Sequence, residues 1–327
     1  MSRFDGIDMT RGAAIVLVVV GHTWRGLWEG GIIESYSLFT FFDQAIYLFH
    51  MPVFFILSGF VFTGRGSSSL SNFLKTRVSK ILYPLIIWYY IFVGVNIIMS
   101  PYVNIPYNID RLFRFPDPFD TYLWFLWALF IIQLISTPLV FAKTRSQVVA
   151  FSLFVTIVSF ITTQGFEYFN IWVNQALYFI PFFFFGILIK EFKCYDVLLS
   201  INPLFLLSFG SAIFITAEVV NFYIELSYYY YIAIAFFASA GFIVMITGLF
   251  NTKNKITFTY LSLFGKASMA IYLIHIFYTS LSRILLKSIG IQDLWLHVAI
   301  GTFLGVLGPL FFKMLATKLS IQRIFSV

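Results

Sequence analysis

The chain has 327 residues, of which 60% are hydrophobic and 11% charged, with a net charge of +7. A soluble domain carries about 25% charged residues, so this composition excludes a water-soluble fold. A single cysteine, Cys194, excludes an internal disulfide framework and a cysteine-based metal cluster.

Runs of about 20 apolar residues recur along the whole length, the signature of helices that cross a bilayer. Residues 1–10 are polar and hold Arg3, Asp5 and Asp8. Span one covers 11–28. No small-residue cleavage site follows Val20, so it reads as a retained span rather than a signal peptide. Span two covers 40–63. A basic loop with Arg65, Lys75, Arg77 and Lys80 then leads to span three, 81–100. The longest polar loop, 101–120, precedes span four, 121–141, which opens on Trp124. Spans five and six cover 147–164 and 173–189, the latter with Pro181 and a four-phenylalanine run. Spans seven and eight cover 203–221 and 229–250. A connection with Lys253, Lys255 and Lys266 leads to span nine, 267–286, and span ten covers 295–315. The expected fold is all-α: a polytopic transmembrane helical bundle of about ten spans, forming a single domain over 1–327.

Ten spans put both termini on one side. The N-terminus, the even-numbered loops and the tail hold 16 of the 21 basic residues. Arg25, Arg111, Arg114, Arg283 and Lys287 lie opposite. Lys and Arg accumulate on the cytoplasmic side, so both termini are expected there. The positive net charge is then a matter of membrane orientation and implies no nucleic-acid partner.

An ionisable group costs about 2.5–3.5 kcal/mol at the centre of a span and is kept for a reason. Arg11 and His22 are eleven residues apart, close to three helical turns. They share a helix face about 16 Å apart along the axis. Arg11 then lies near the cytoplasmic end and His22 deeper. Read alone, Arg11 also fits an interfacial anchor, and His22 a helix-packing hydrogen bond. His50 lies just before Pro52, whose missing N–H should kink the helix. Broken helices at membrane depth often line cavities, although a packed, kinked helix is the plainer alternative. Ser58 and Gly59 admit close approach by a helix or a ligand. His275 sits on an apolar face of span nine, and His297 reads as interfacial. Asp43, Glu218 and Glu225 lie near span ends and read as solvated termini. The four histidines show no metal-ligand spacing, and no phosphate-loop, dinucleotide or nucleophile-elbow motif occurs.

Several stretches resemble the integral-membrane acyltransferases of acyltransferase family 3, and within them sugar O-acetyltransferases similar to fucose 4-O-acetylases. Asp8-Met-Thr-Arg11-Gly12 resembles the family's D-x-x-R-G opening, and ten residues separate Arg11 from His22 as in its R-x10-H motif. Phe49 to Phe62, FHMPVFFILSGFVF, resembles a second-span signature. Arg77-Val-Ser-Lys80-Ile-Leu-Tyr83-Pro84 is similar to the family's basic entry into span three. Trp124-Phe-Leu-Trp127 matches a W-(F/Y)-L stretch, and Phe264-Gly-Lys266 with Ile271-Tyr-Leu-Ile-His275 resembles a penultimate-span motif. The resemblance implies acetyl-CoA as acyl donor, with no tightly bound cofactor or metal. It implies a glycan or lipid-linked sugar as acceptor and a place in the bacterial cytoplasmic membrane. His22, Arg11 and His50 become the candidate catalytic residues. Asp8, Ser58, Gly59, Arg65, Lys75, Arg77, Lys80, Trp124, Lys266 and His275 become candidates for donor or acceptor binding.

The chemistry fits. A sugar hydroxyl needs a base to take its proton, and neutral histidine serves near physiological pH. The basic cluster from Arg65 to Lys80 suits the donor's phosphates. Direct transfer and a transient acetyl-histidine both remain open. The alternative is a polysaccharide or small-molecule exporter with no acyl transfer, using the same polar residues as a path. Paired broken helices of the kind exporters show have only Pro52 and Pro181 in their favour. The sequence is silent on oligomeric state.

Overall fold

A computed structural model describes residues 3–64, 69–114, 117, 121–165, 171–224, 228–252 and 255–325. Among the described residues every regular element is helical. Eight helical segments are long and apolar enough to cross a membrane: Tyr36–Phe60, Leu70–Ile98, Arg145–Thr163, Val173–Glu191, Pro203–Tyr223, Tyr230–Asn251, Ser268–Ser288 and Leu294–Lys318. The two remaining expected spans also fall on helices, α1 (Arg3–Glu29) and the shorter α5 (Trp124–Ile135).

The chain divides into two compact units. The first combines Met1–Phe54 with Tyr195–Phe325, and the second covers Phe55–Cys194. The helix α2 (Tyr36–Phe60) contributes to both and continues as one helix through Pro52, where a kink is expected.

In the first unit, α1 packs against α10 (Tyr228–Asn251), α11 (Lys255–Lys266), α12 (Ser268–Ser288) and α13 (Leu294–Lys318). The helix α11 corrects the sequence reading, which had a lysine-bearing connection there; Lys253 lies outside the described residues. The α1–α11 crossing is a backbone contact. A β-carbon at Gly12 would collide with the Leu261 carbonyl oxygen, and one at Gly265 with that of Asp8. Small residues let two helix backbones meet where lipid offers no hydrophobic drive. The other end of α1 has no basic residue in its last turn. Two cations from α12 serve its C-terminal carbonyls instead. Arg283 donates to Gly26 O at 3.0 Å and Lys287 to Gly30 O at 2.9 Å, where the helix dipole favours positive charge.

The first unit also pairs α10 with α9 (Pro203–Tyr223). Phe214 of α9 meets Phe49 of α2 at 4.8 Å, and Phe222 meets Phe41 at 5.1 Å. The two helices are therefore antiparallel. Glu218, midway between those phenylalanines at helical spacing, lies on the face of α9 that meets α2. One of its carboxylate oxygens is buried, so the solvated-terminus reading does not hold. Glu225 lies outside the described residues. His297 is also not interfacial: it is 1% exposed and its Nε2 bonds Ile291 O at 3.0 Å.

In the second unit, α3 (Leu70–Arg77), a π-helical turn over Val78–Leu82, and α4 (Tyr83–Ile98) form one continuous helix. Lys75, Arg77 and Lys80 are therefore helical, where a basic loop had been expected. Ser69 starts this helix by accepting from Asn72 N at 3.1 Å. The wide turn has a physical cause. Pro84 has no N–H for Lys80 O and its ring would crowd that carbonyl; the turn opens so that Tyr83 N–H reaches Val78 O. Phe55 stacks on Phe179 of α7 (Ile171–Glu191) at 4.3 Å and meets Phe125 of α5 edge-on. Phe182, Phe183 and Phe184 are fully buried, so most of the four-phenylalanine run is core.

Candidate active site

The candidate site lies in the first unit, where α1, α2 and α12 bring three histidines and a tyrosine together. His22 projects from α1, and its ring lies 5.1 Å from that of His275 on α12. The Tyr47 ring on α2 makes T-shaped pairs with His22 at 6.5 Å and with His50 at 4.7 Å, the latter at an interplanar angle of 89°. Thus His22, His50 and His275, 253 residues apart in sequence at the extremes, form one chain of ring contacts, with Tyr47 between His50 and His22 and His275 on the far side of His22.

Each buried ring is fixed by its own helix. His50 Nδ1 lies 2.6 Å from Ile46 O, and His275 Nδ1 lies 2.9 Å from Ile271 O and 2.8 Å from Tyr272 O. A carbonyl oxygen only accepts, so both Nδ1 atoms carry the proton and both Nε2 atoms keep a lone pair. That is the tautomer of a ready base. His50 is 1% exposed and His275 fully buried, whereas His22 is partly exposed.

Two further residues complete the cluster. Arg25, one turn after His22, lays its guanidinium carbon 3.3 Å from the centre of the Tyr47 ring. Asp43, one turn before Tyr47, holds that guanidinium through Nε at 2.6 Å and Nη2 at 2.9 Å. The paired planar geometry is the strongest form of this contact. Sequence reasoning passed over Arg25 and Tyr47 and took Asp43 for a solvated terminus. The signal was present in spacing. His22 and Arg25 are i, i+3 on one helix; Asp43, Tyr47 and His50 are i, i+4, i+7 on the next. Among the described residues, no group of three His, Cys, Asp or Glu side chains is arranged to hold a metal ion.

The start of α1 carries a second polar group. Arg11 meets Asp8 through a single contact at 3.6 Å, and Lys266 meets Asp5 at 3.9 Å. Burial raises the Asp8 carboxyl above its ordinary pKa, outweighing the pull of Arg11 and Lys266 in the other direction. The Gly12–Gly265 crossing brings these residues together.

The remaining candidates belong to the second unit. Arg77 lies over the Phe73 ring at 4.5 Å and the Phe62 ring at 5.5 Å, and its Nε is buried with no hydrogen-bond partner among the described residues. That orphaned donor suits an anion. Lys75 and Lys80 are exposed. Lys75 borders an open groove of about 680 Å³ whose apolar wall is Leu70, Leu74 and Val78. Gly59 is a helix-crossing residue, since a β-carbon there would strike Phe183 O, and Gly186 meets Ile56 O in the same way. Ser58 beside it is partly exposed. Trp124 stacks on Phe179 at 5.5 Å. Arg65 lies outside the described residues.

Comparison with known proteins places the whole chain in a family. An acyltransferase-domain model, that of acyltransferase family 3, matches residues 4–314, from the start of α1 into α13. "Nodulation protein NolL" of Mesorhizobium japonicum is 29% identical over 132 residues, 40% of this chain and 34% of that protein. "Nodulation protein NolL" of Sinorhizobium fredii is 27% identical over 122 residues, 37% of this chain and 32% of that protein. The matched stretches thus span about a third of each curated relative. No solved structure matches. A family model that takes in nearly all of a chain built from apolar, membrane-length helices leaves one assignment: the chain belongs to acyltransferase family 3, and its helices are those of a multi-pass membrane protein.

Proposed function

We propose that the protein moves an acetyl group from acetyl-CoA to a hydroxyl of an envelope or exported glycan, such as an O-antigen, a capsule, an exopolysaccharide or a lipid-linked sugar, in the bacterial cytoplasmic membrane. The observation that carries this reading is the cluster of His22, His50 and His275 within an acyltransferase chain. In it the partly exposed His22 is the general base. It takes the acceptor's proton as the oxygen attacks the acyl carbon, then returns it to the departing sulfur. His50 and His275, held in the Nε2-basic tautomer, stand behind it to accept or relay a proton. Arg77, with its orphaned Nε, and the exposed Lys75 and Lys80 hold the donor's phosphates. Arg11 supplies a cation at the cytoplasmic end of the helix that bears the base.

The test uses purified protein, labelled acetyl-CoA and a panel of bacterial glycans. Wild-type protein transfers label. His22→Ala loses about 10²–10⁴-fold in kcat, the usual contribution of a positioned base, while its membrane insertion and melting temperature stay unchanged. Full transfer by His22→Ala would remove His22 from the chemistry. Movement of glycan across vesicles without any labelled product would replace the enzyme reading with an exporter.

A further inference from the structure

Tyr47 stands within the cluster and has no task in the mechanism above. Its hydroxyl oxygen is buried and meets no hydrogen-bond partner among the described residues, a state that buried hydroxyls rarely hold. The ring itself is tightly placed. Arg25 covers one face, pinned by both oxygens of Asp43. The His50 ring forms a T-shaped pair with it. It also rests against Gly21, where a β-carbon would lie 3.2 Å from Tyr47 Cε2 and 3.5 Å from Cζ. Cζ bears the hydroxyl, so the hydroxyl stands beside the Gly21–His22 segment, next to the proposed base.

We propose that Tyr47 is a catalytic residue that donates its hydrogen bond to the acyl carbonyl oxygen as that oxygen gains charge, with Arg25 and Asp43 as positioning residues. This rests on the acyl-transfer reading with His22 as base. The acceptor oxygen bonds to the acyl carbon, and the carbonyl π pair moves onto oxygen. The acceptor's proton passes to His22. When the carbonyl re-forms, the carbon–sulfur bond breaks and the thiolate takes that proton. Tyr47 keeps its own proton throughout and only donates a hydrogen bond. A cation over the ring face draws electron density from the phenol, which sharpens the O–H as a donor. A fixed donor in a site shielded from water is worth far more than one in bulk solvent.

Tyr47→Phe removes one oxygen and leaves the ring, its Arg25 contact and its T-shaped contact with His50. With the full-length protein, labelled acetyl-CoA and a glycan that the wild type acetylates, kcat falls about 10²-fold, the loss seen when an oxyanion donor is removed. KM for both substrates and the melting temperature stay at wild-type values. Arg25→Lys, which keeps the charge and loses the planar fork, gives a smaller fall in kcat. Wild-type kcat in Tyr47→Phe overturns the proposal. So does a lowered melting temperature that accompanies the lost rate, because the hydroxyl would then serve packing. If His22→Ala is inactive and Tyr47→Phe is not, only this inference fails. If the wild type itself transfers no label, the acyl-transfer reading fails and takes the role of Tyr47 with it.

Discussion

Exposure separates the three histidines of the cluster. His50 and His275 are sealed and tied to backbone carbonyls, while His22 retains accessible surface. This difference marks His22 among the three histidines by geometry, as the R-x10-H spacing marks it by sequence. At the same scale, Arg77 carries the donor argument. Its buried, unpartnered Nε and the exposed Lys80 lead to the expectation that Arg77→Ala with Lys80→Ala raises KM for acetyl-CoA about tenfold or more, the worth of one or two charged hydrogen bonds. An unchanged KM in steady-state assays would leave both residues with orientation of the protein alone. The histidines were legible in the sequence because an ionisable group inside a span is costly and stands out. Tyr47 was not, since one tyrosine among 19 gives no signal until its neighbours on the helix face are known. Asp43 was hidden by its place near a span end, where a carboxylate usually meets water.

The helices in the expected spans followed from apolar length, and all ten stretches fall on helices. What escaped the sequence were elements whose residues had been sorted by charge. The helix α3 looked like a basic loop and α11 like a connection, yet neither range contains proline or lacks helix-forming residues. The crossing of α1 and α11 was equally hidden, because a glycine in a helix reads as weakness until the opposing backbone is seen. It has a measurable consequence. Gly12→Ala forces a β-carbon against Leu261 O and should cost about 1–3 kcal/mol, as overpacking does. Gly26→Ala, on the same helix with nothing within 4 Å, should instead stabilise by about 0.5–1 kcal/mol through helix propensity. Thermal melts in one detergent compare the two directly, and equal shifts would mean that the crossing is not tight.

For the whole molecule, local contacts involve basic residues on both sides. Four of the five basic residues on the sparse side have structural partners. Arg25 holds Asp43, Arg283 and Lys287 hold carbonyls at the end of α1, and Arg111 lies 4.1 Å from the centre of the Tyr107 ring. Cations on the other side have local contacts as well, Arg11 with Asp8 and Lys190 with Phe62 O, so the orientation expected from the charge count needs a direct test. Cys194, the single cysteine, is exposed at the start of α8 (Cys194–Ser200), on the side assigned to the cytoplasm. A membrane-impermeant maleimide should label it in inverted vesicles and not in intact cells. The reverse pattern would invert the topology and with it the side from which the donor enters. The anchoring of His50 and His275 to carbonyls of their own helices carries a wider meaning. The aim of each ring is set by the rotational phase of its helix and by no loop. One residue inserted within α2 or α12 would swing a ring by about 100°, whereas residues added to a connecting loop would leave it in place. In such an architecture the proposed centre is held by helix phase and not by loop length.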